Sequence, residues 1–123
     1  MALRSLLHRA GLRFRKHDRR LPGSPDAAVA GARVAVFLDG DFWHGRQWFE
    51  RRKAPRTNRA FWLAKFRRNR ARDRAVDRAL TALGWRAVRI WESEFRSDPE
   101  RAAAAVLAAC GRPCAGASRS RRR

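Results

Sequence analysis

The sequence predicts a single α/β domain with a mixed central sheet flanked by helices, and three observations carry that expectation. The chain has 123 residues, enough for one apolar core and too few for two. Residues 34–38 read VAVFL, the near-continuous apolar run of a strand buried on both faces at the centre of a sheet. Residues 62–83 carry a stripe at steps of three and four, a long helix with one face turned inward.

Taken in order, Leu3, Leu6, Leu7 and Ala10 recur at helical spacing and Gly11 stops the pattern, so residues 2–10 form a short amphipathic helix. No Ser, Asp or Asn precedes its first turn, as if its start had been cut away. Residues 12–16 alternate apolar with basic side chains, as an edge strand does. In the loop HDRRLPGSP, Pro22, Gly23 and Pro25 forbid regular structure and hold Asp26 at the entry to a strand over 27–30. Gly31 and Ala32 turn the chain into the central strand, 33–39. Residues 45–59 read as a basic loop with Trp48 and Phe49 interleaved.

Thr57 or Asn58 can cap the long helix, which Gly84 stops. Its inward stripe is Trp62, Phe66, Asn69, Asp73, Val76, Leu80 and Leu83. Burying Asn69 and Asp73 costs on the order of 1–3 kcal/mol each without hydrogen bonds, so they need protein partners or line a site. Residues 85–91 alternate as a further strand. Ser97-Asp98-Pro99-Glu100 reads as a capping box that starts a last helix through residue 109, with Ala102, Ala105, Val106 and Ala109 as its packing face. The folded domain is expected over 1–110, and residues 111–123, low in apolar side chains and ending in three Arg, as a disordered basic arm.

Thirty Lys and Arg against eleven Asp and Glu give a net charge of +19. Nearly all the excess is Arg, whose planar fork suits phosphate oxygens, so nucleic acid is the leading partner. No apolar run nears the 18 or so residues of a membrane span, and the opening MALRSLLHRA is broken by Arg and His as no signal peptide is. A cytoplasmic, nucleoid-associated monomer is expected. Cys110 and Cys114 alone cannot close a zinc site. Asp26, Asp39, Asp41 and His44 gather at strand ends in this basic chain, a pattern that points to a metal-dependent site cutting a polyanion. Arg46, Arg51, Arg52 and Lys53, beside Trp48 and Phe49, have the composition of a surface that clamps phosphates and stacks on bases.

Five stretches carry a family resemblance: GLRFR at 11–15, LPGSPD at 21–26, VFLDGDFWH at 36–44, FWLAKFRRNRARDR at 61–74 and LGWRAVRIWE at 83–92. Together they resemble the very short patch repair endonucleases, which nick DNA beside a T:G mismatch and have the restriction-endonuclease-like fold. The resemblance implies Asp26 as the central metal ligand, the Leu38 backbone carbonyl as a second, His44 as general base and Asp73 as its supporting acid. It implies Phe42, Trp43 and Trp62 as rings that wedge into the base stack, with Asn69 one turn from the His44–Asp73 pair among the DNA-contacting residues. Wedging is least costly where pairing is already defective. Mg²⁺ is the implied cofactor, double-stranded DNA the substrate, and DNA-repair proteins are further partners.

Three departures from the family pattern matter. The positions of its structural zinc ligands carry Asp41, Arg46, Trp48 and Ser93, so no zinc is expected; an Asp41–Arg46 ion pair with Trp48 packed on it is the expected substitute. Asp39 stands where the best-known members of the family have a histidine, and as a carboxylate it could join Asp26 around Mg²⁺. The family's N-terminal acidic residue falls just before Met1. An endonuclease of another specificity and an inactive DNA-binding module remain alternatives.

Overall fold

Three strands form the sheet in the order β1 (Ala27–Val29), β2 (Val34–Asp39), β3 (Arg86–Trp91). β1 is antiparallel to β2, with Ala27 opposite Val36. β3 is parallel to β2, placing Leu38 opposite Ile90 and Asp39 opposite Trp91. Parallel neighbours cannot be joined by a tight turn, and the crossover here contains α2 (Arg46–Arg51) and the long α3 (Arg59–Ala82). The remaining helices are α1 (Ala2–Arg9), α4 (Glu92–Ser97) and α5 (Pro99–Ala109). The computed structural model describes residues 2–111; the expected arm beyond Gly111, with Cys114, lies outside the described residues.

β2 is covered on both sides, as its apolar run predicts. Val34 and Val36 face Leu3 and Leu7 of α1 and Val106 and Leu107 of α5, while Ala35 and Phe37 face Leu80 of α3. Fully burying a side chain of this size contributes about 1.5–3 kcal/mol. Leu80, at 0% exposure, anchors α3 to the sheet, and its truncation to Ala would cost about 2–5 kcal/mol. Leu83, the last member of the expected stripe, is exposed because the helix has ended by then.

The expected edge strand over 12–16 is reduced to one antiparallel bridge, Arg15 with Ala28. The Leu12 N–H instead closes α1 by bonding to Leu7 O at 3.1 Å, and its side chain is buried under the helix. The expected basic loop over 45–59 contains α2, six residues with no Gly or Pro inside, too short to show a period. α4 was also hidden by its length; Phe95 fastens it to the core. The cap of α5 is Asp98, whose side chain accepts from Arg101 N–H at 3.1 Å, and not Ser97, which ends α4. Its buried face is Ala102, Ala103, Val106 and Leu107, with Ala105 exposed. Asn58 precedes α3 in the left-handed region and makes no side-chain cap bond.

Two glycines set the loops that carry the site. Gly23 has φ +79°, and a Cβ there would lie 2.7 Å from Val76 Cγ1, so the loop before Asp26 lies directly on α3. Gly45 has φ +68°, and its Cβ would lie 2.7 Å from Phe66 Cγ, so the turn after His44 is pressed against α3 as well. Any side chain at either position would be strained and would push its loop off the helix.

Candidate active site

β2 ends in Asp39, with 7% exposure the sole buried charged side chain among the described residues. Alternation along β2 points it to the α3 side of the sheet, where α3 supplies Asp73 and β3 supplies Arg89. Arg89 Nη1 donates to Asp39 Oδ1 and Oδ2 at 3.2 Å each, and Nη2 donates to Asp77 Oδ1 at 2.8 Å. The same guanidinium lies over the Phe37 ring at 4.3 Å. His44 reaches this cluster from the turn after β2. Its Nδ1 is 2.5 Å from Asp73 Oδ2, and its Nε2 is 3.8 Å from Asp39 Oδ1.

Burial pushes the Asp39 carboxyl above its ordinary value, against the opposing pull of Arg89 and His44. For Arg89, burial works downward but is outweighed by Asp77, Asp39 and Asp73, which hold it raised. One guanidinium thus serves three carboxylates in a partly dry place. Ligand-type atoms of Asp39, His44 and Asp73 lie within 4.8 Å of one another, and a cavity of about 290 Å³ opens on all three. Two carboxylates and an imidazole form a ligand set of the kind that takes a divalent transition metal, but here each is already engaged, His44 with Asp73 and Asp39 with Arg89.

Asp26 stands across β2 from this cluster and is not a member of it. The Asp26 Oδ2 accepts from Leu38 N–H at 2.7 Å, and Asp26 N–H donates to Val36 O at 2.9 Å. The candidate ligand residues Asp26 and Leu38 are therefore locked side by side at the end of the β1–β2 ladder, while Asp39 is held by Arg89. Arg4 of α1 donates from Nη1 to the Asp26 main-chain carbonyl at 3.2 Å.

On the other side of Gly40, Asp41 is bound into a second network. Its Oδ1 accepts from Ser93 N–H at 2.9 Å, and its Oδ2 accepts from Ser93 Oγ–H at 2.6 Å and from Arg46 Nη1 at 3.2 Å. Arg46 also donates to Glu50 and Glu94 and lies over the Trp91 ring at 5.1 Å. Burial works upward on Asp41, but the Ser93 bonds and Arg46 together outweigh it and leave the carboxyl below its ordinary value. Three of the four positions matching the family's zinc ligands are thus bonded to one another, and the ring under Arg46 is Trp91, not the expected Trp48. Trp48 instead meets the guanidinium groups of Arg52 and Arg59 at 5.2 and 5.7 Å. With its donors engaged on carboxylates, Arg46 is less available to phosphate than the exposed Arg51, Arg52 and Lys53.

The predicted wedge residues do come together. Phe42 and Trp43, 47% and 55% exposed, meet Trp62 at ring-centroid distances of 4.8 and 5.7 Å. Phe66 backs the group, stacked on Trp62 at 6.1 Å. Asn69 donates to Trp43 O at 2.6 Å, so its amide fastens the turn that presents the rings.

Sequence reasoning missed Arg89, Asp77 and Phe61. Alternation over 85–91 places Arg89 on the same face as Ala87, and a charge inside a sheet requires an acid partner; that signal was present. Asp77 follows Asp73 by one turn of α3. Phe61, 57% exposed and edge-on to Trp62 at 5.2 Å, lies off the inward stripe and had no signal except its neighbour.

Taken together, the mixed sheet and the acid–histidine cluster at the end of its central strand define a restriction-endonuclease-like domain. A family model described as DNA mismatch endonuclease Vsr matches residues 1–50. The type II nicking enzyme V.HpaIIP of Haemophilus parainfluenzae is 37% identical over 101 residues, which is 82% of this chain and 72% of that protein. The type II nicking enzyme V.NaeI of Lentzea aerocolonigenes is 43% identical over 116 residues, covering 86% of this chain and 64% of its own length. The DNA mismatch endonuclease Vsr of Escherichia coli K12 is 43% identical over 94 residues, 76% of this chain and 60% of that one. The chain belongs to the Vsr family of DNA endonucleases.

Proposed function

We propose that the chain is a Mg²⁺-dependent endonuclease that nicks one strand of double-stranded DNA beside a T:G mismatch. The carrying observation is the His44 Nδ1–Asp73 Oδ2 contact of 2.5 Å, made by the same turn that presents Phe42 and Trp43. An Nδ1–H donated to Asp73 fixes the imidazole tautomer and leaves the Nε2 lone pair as the base. His44 then takes the proton of the attacking water at Nε2, and Asp73 stabilises the imidazolium that results. Asp26 and the Leu38 carbonyl would hold the cation, which polarises the scissile phosphate when bound. Asp39 is engaged by Arg89, which makes it a neighbour of that site before it is a ligand.

The rings of Phe42, Trp43 and Trp62 enter the stack next to the defective pair, where unstacking is cheapest. Mismatch preference is supported by the name of the Escherichia coli relative; the names of the others speak of nicking alone. The protein acts as a monomer in the cytoplasm, with DNA-repair proteins downstream. No helix among the described residues is long and apolar enough to cross a membrane. Single-turnover nicking of matched and T:G duplexes with Mg²⁺ tests the reading. Equal nicking of both duplexes points to another specificity, and binding without nicking to an inactive module.

A further inference from the structure

The cations near the ends of β2 and β3 are matched by acids: Arg46 by Asp41, Glu50 and Glu94, Arg89 by Asp39 and Asp77. The opposite face of the sheet differs. There α1 buries Leu3 and Leu7 and turns Ser5, His8 and Arg9 outward. The segment after it buries Leu12 and exposes Arg13 and Lys16. Between the two runs a groove of about 960 Å³, whose lining includes Arg4, His8, Arg9, Arg13 and Lys16 and no acidic side chain. Among the described residues no carboxylate pairs with Arg4, Arg9, Arg13 or Lys16. At one end of the groove Arg4 Nη1 lies 3.2 Å from His17 Nε2 and donates at 3.2 Å to the main-chain carbonyl of Asp26. The groove therefore begins at the residue that the proposed function places at the cut.

We propose that this groove holds the phosphate backbone of the DNA duplex on the Asp26 side of the cut, so that the substrate is gripped from both faces of the sheet. Rings act on the stack from the α3 side, and unpaired cations act on the backbone from the α1 side. Concavity and the lack of acids favour a polyanion over bulk solvent, because a cation with no carboxylate beside it releases condensed counterions in full when it meets a phosphate. Each such contact adds about 0.9 to the slope of log affinity against log salt. The exposed Arg9, Arg13 and Lys16 then account for a slope of about 2.7, or roughly 40-fold in affinity between 50 and 200 mM salt. The inference rests on the endonuclease reading only for where the cut lies.

The test is equilibrium binding of the full chain to a fluorescent 20-bp duplex in EDTA across a salt series, with circular dichroism on every variant. The groove variant carries Arg9→Gln, Arg13→Gln and Lys16→Gln. A comparison variant carries Arg67→Gln, Arg68→Gln and Arg72→Gln on the exposed side of α3. The groove variant is expected to lose two to three units of slope, as estimated above, and the hydroxyl-radical footprint to shrink on one flank; the comparison variant keeps both. An unchanged slope in the groove variant, or an equal loss in the two variants, overturns the proposal. So does a groove variant that keeps its DNA slope while losing affinity for phosphatidylserine vesicles, which would assign the groove to a lipid surface. Because binding is read without divalent cation, a parent chain that binds steeply but never nicks refutes the proposed reaction and leaves the groove standing.

Discussion

Asp39 and Asp41 flank one glycine, each near an arginine, yet the two sides of Gly40 are wired in opposite ways. Asp41 has a donor for every bond it makes, from Ser93 N–H, Ser93 Oγ and Arg46, and its carboxyl is held below the ordinary value. Asp39 shares one guanidinium with Asp73 and Asp77, and burial pushes its carboxyl up. A satisfied network has no need of anything further and serves the fold. A cluster with three carboxylates around one cation is short of positive charge, and that shortage attracts a cation or a proton. The same residue types become staple or site according to how completely their bonds are met.

The sharpest way to break this contrast is through the rate. His44→Ala should lower single-turnover nicking by about 10²–10⁴-fold, and Asp26→Asn by at least as much, with folding and DNA binding retained. Asp73→Asn should cost less than His44→Ala, since it disturbs only the orientation and tautomer of the ring. Asp41→Asn should leave the rate per folded molecule nearly unchanged, and a loss as large as that of His44→Ala would erase the distinction between the two sides.

Next in size is the loss of the shared cation. Arg89→Met leaves Asp39, Asp73 and Asp77 facing one another; breaking a fully buried pair costs about 3–5 kcal/mol, and this half-buried one should cost less, about 1–3 kcal/mol. The pH dependence has a definite sign. A carboxyl raised in the folded state binds more protons than it does unfolded, so its effect on stability worsens as pH rises above the ordinary carboxylate range. Urea melts of the variant should therefore steepen their decline from acid toward neutral pH, and a pH-independent difference from the parent would contradict the charge-sharing account.

Asp41 should show the opposite sign and a smaller size. Its lowered carboxyl contributes stability above the ordinary range and loses it as pH falls through the folded value. Asp41→Asn should cost about 1–3 kcal/mol at neutral pH, with the difference vanishing in acid. Chelation should leave the melting temperature of the parent unchanged, whereas stoichiometric zinc in metal analysis would replace this staple with another. The smallest effect belongs to the rings. Phe61→Ala should reduce the nicking preference for T:G over matched duplex by about 0.5–1.5 kcal/mol, the worth of an aromatic pair, and Trp43→Ala by somewhat more. A change confined to matched duplex would remove Phe61 from the wedge.

How much of this was legible depended on the distance over which each signal acts. VAVFL announced a strand covered on both faces, and the stripe along α3 required a partner for Asp73, which His44 supplies. The Asp41–Arg46 pair was also readable, although the ring beneath it was not, because Trp91 comes from β3 and Trp48 from the same short helix as Arg46. α2 and α4 are six residues each, less than two turns, and the basic composition of the first looked like a loop. Asp39 looked free to join Asp26, since nothing local shows that β3 will run parallel to β2 and bring Arg89 beside it. Register, set by the whole sheet, decided what composition could not.

The parallel pairing of β2 with β3 also orders assembly in time. The Asp26–Leu38 bond closes a loop of 12 residues and can form with the β1–β2 hairpin. The His44–Asp73 contact spans 29 residues, Asp39–Arg89 50 and Asp41–Ser93 52, and the last two must wait for the crossover through α3. Contacts of long sequence separation form late and slowly. A nascent chain would thus carry a formed hairpin, with its candidate metal aspartate in place, before the proposed base and its orienting acid have met, and cutting competence would be the last property folding confers.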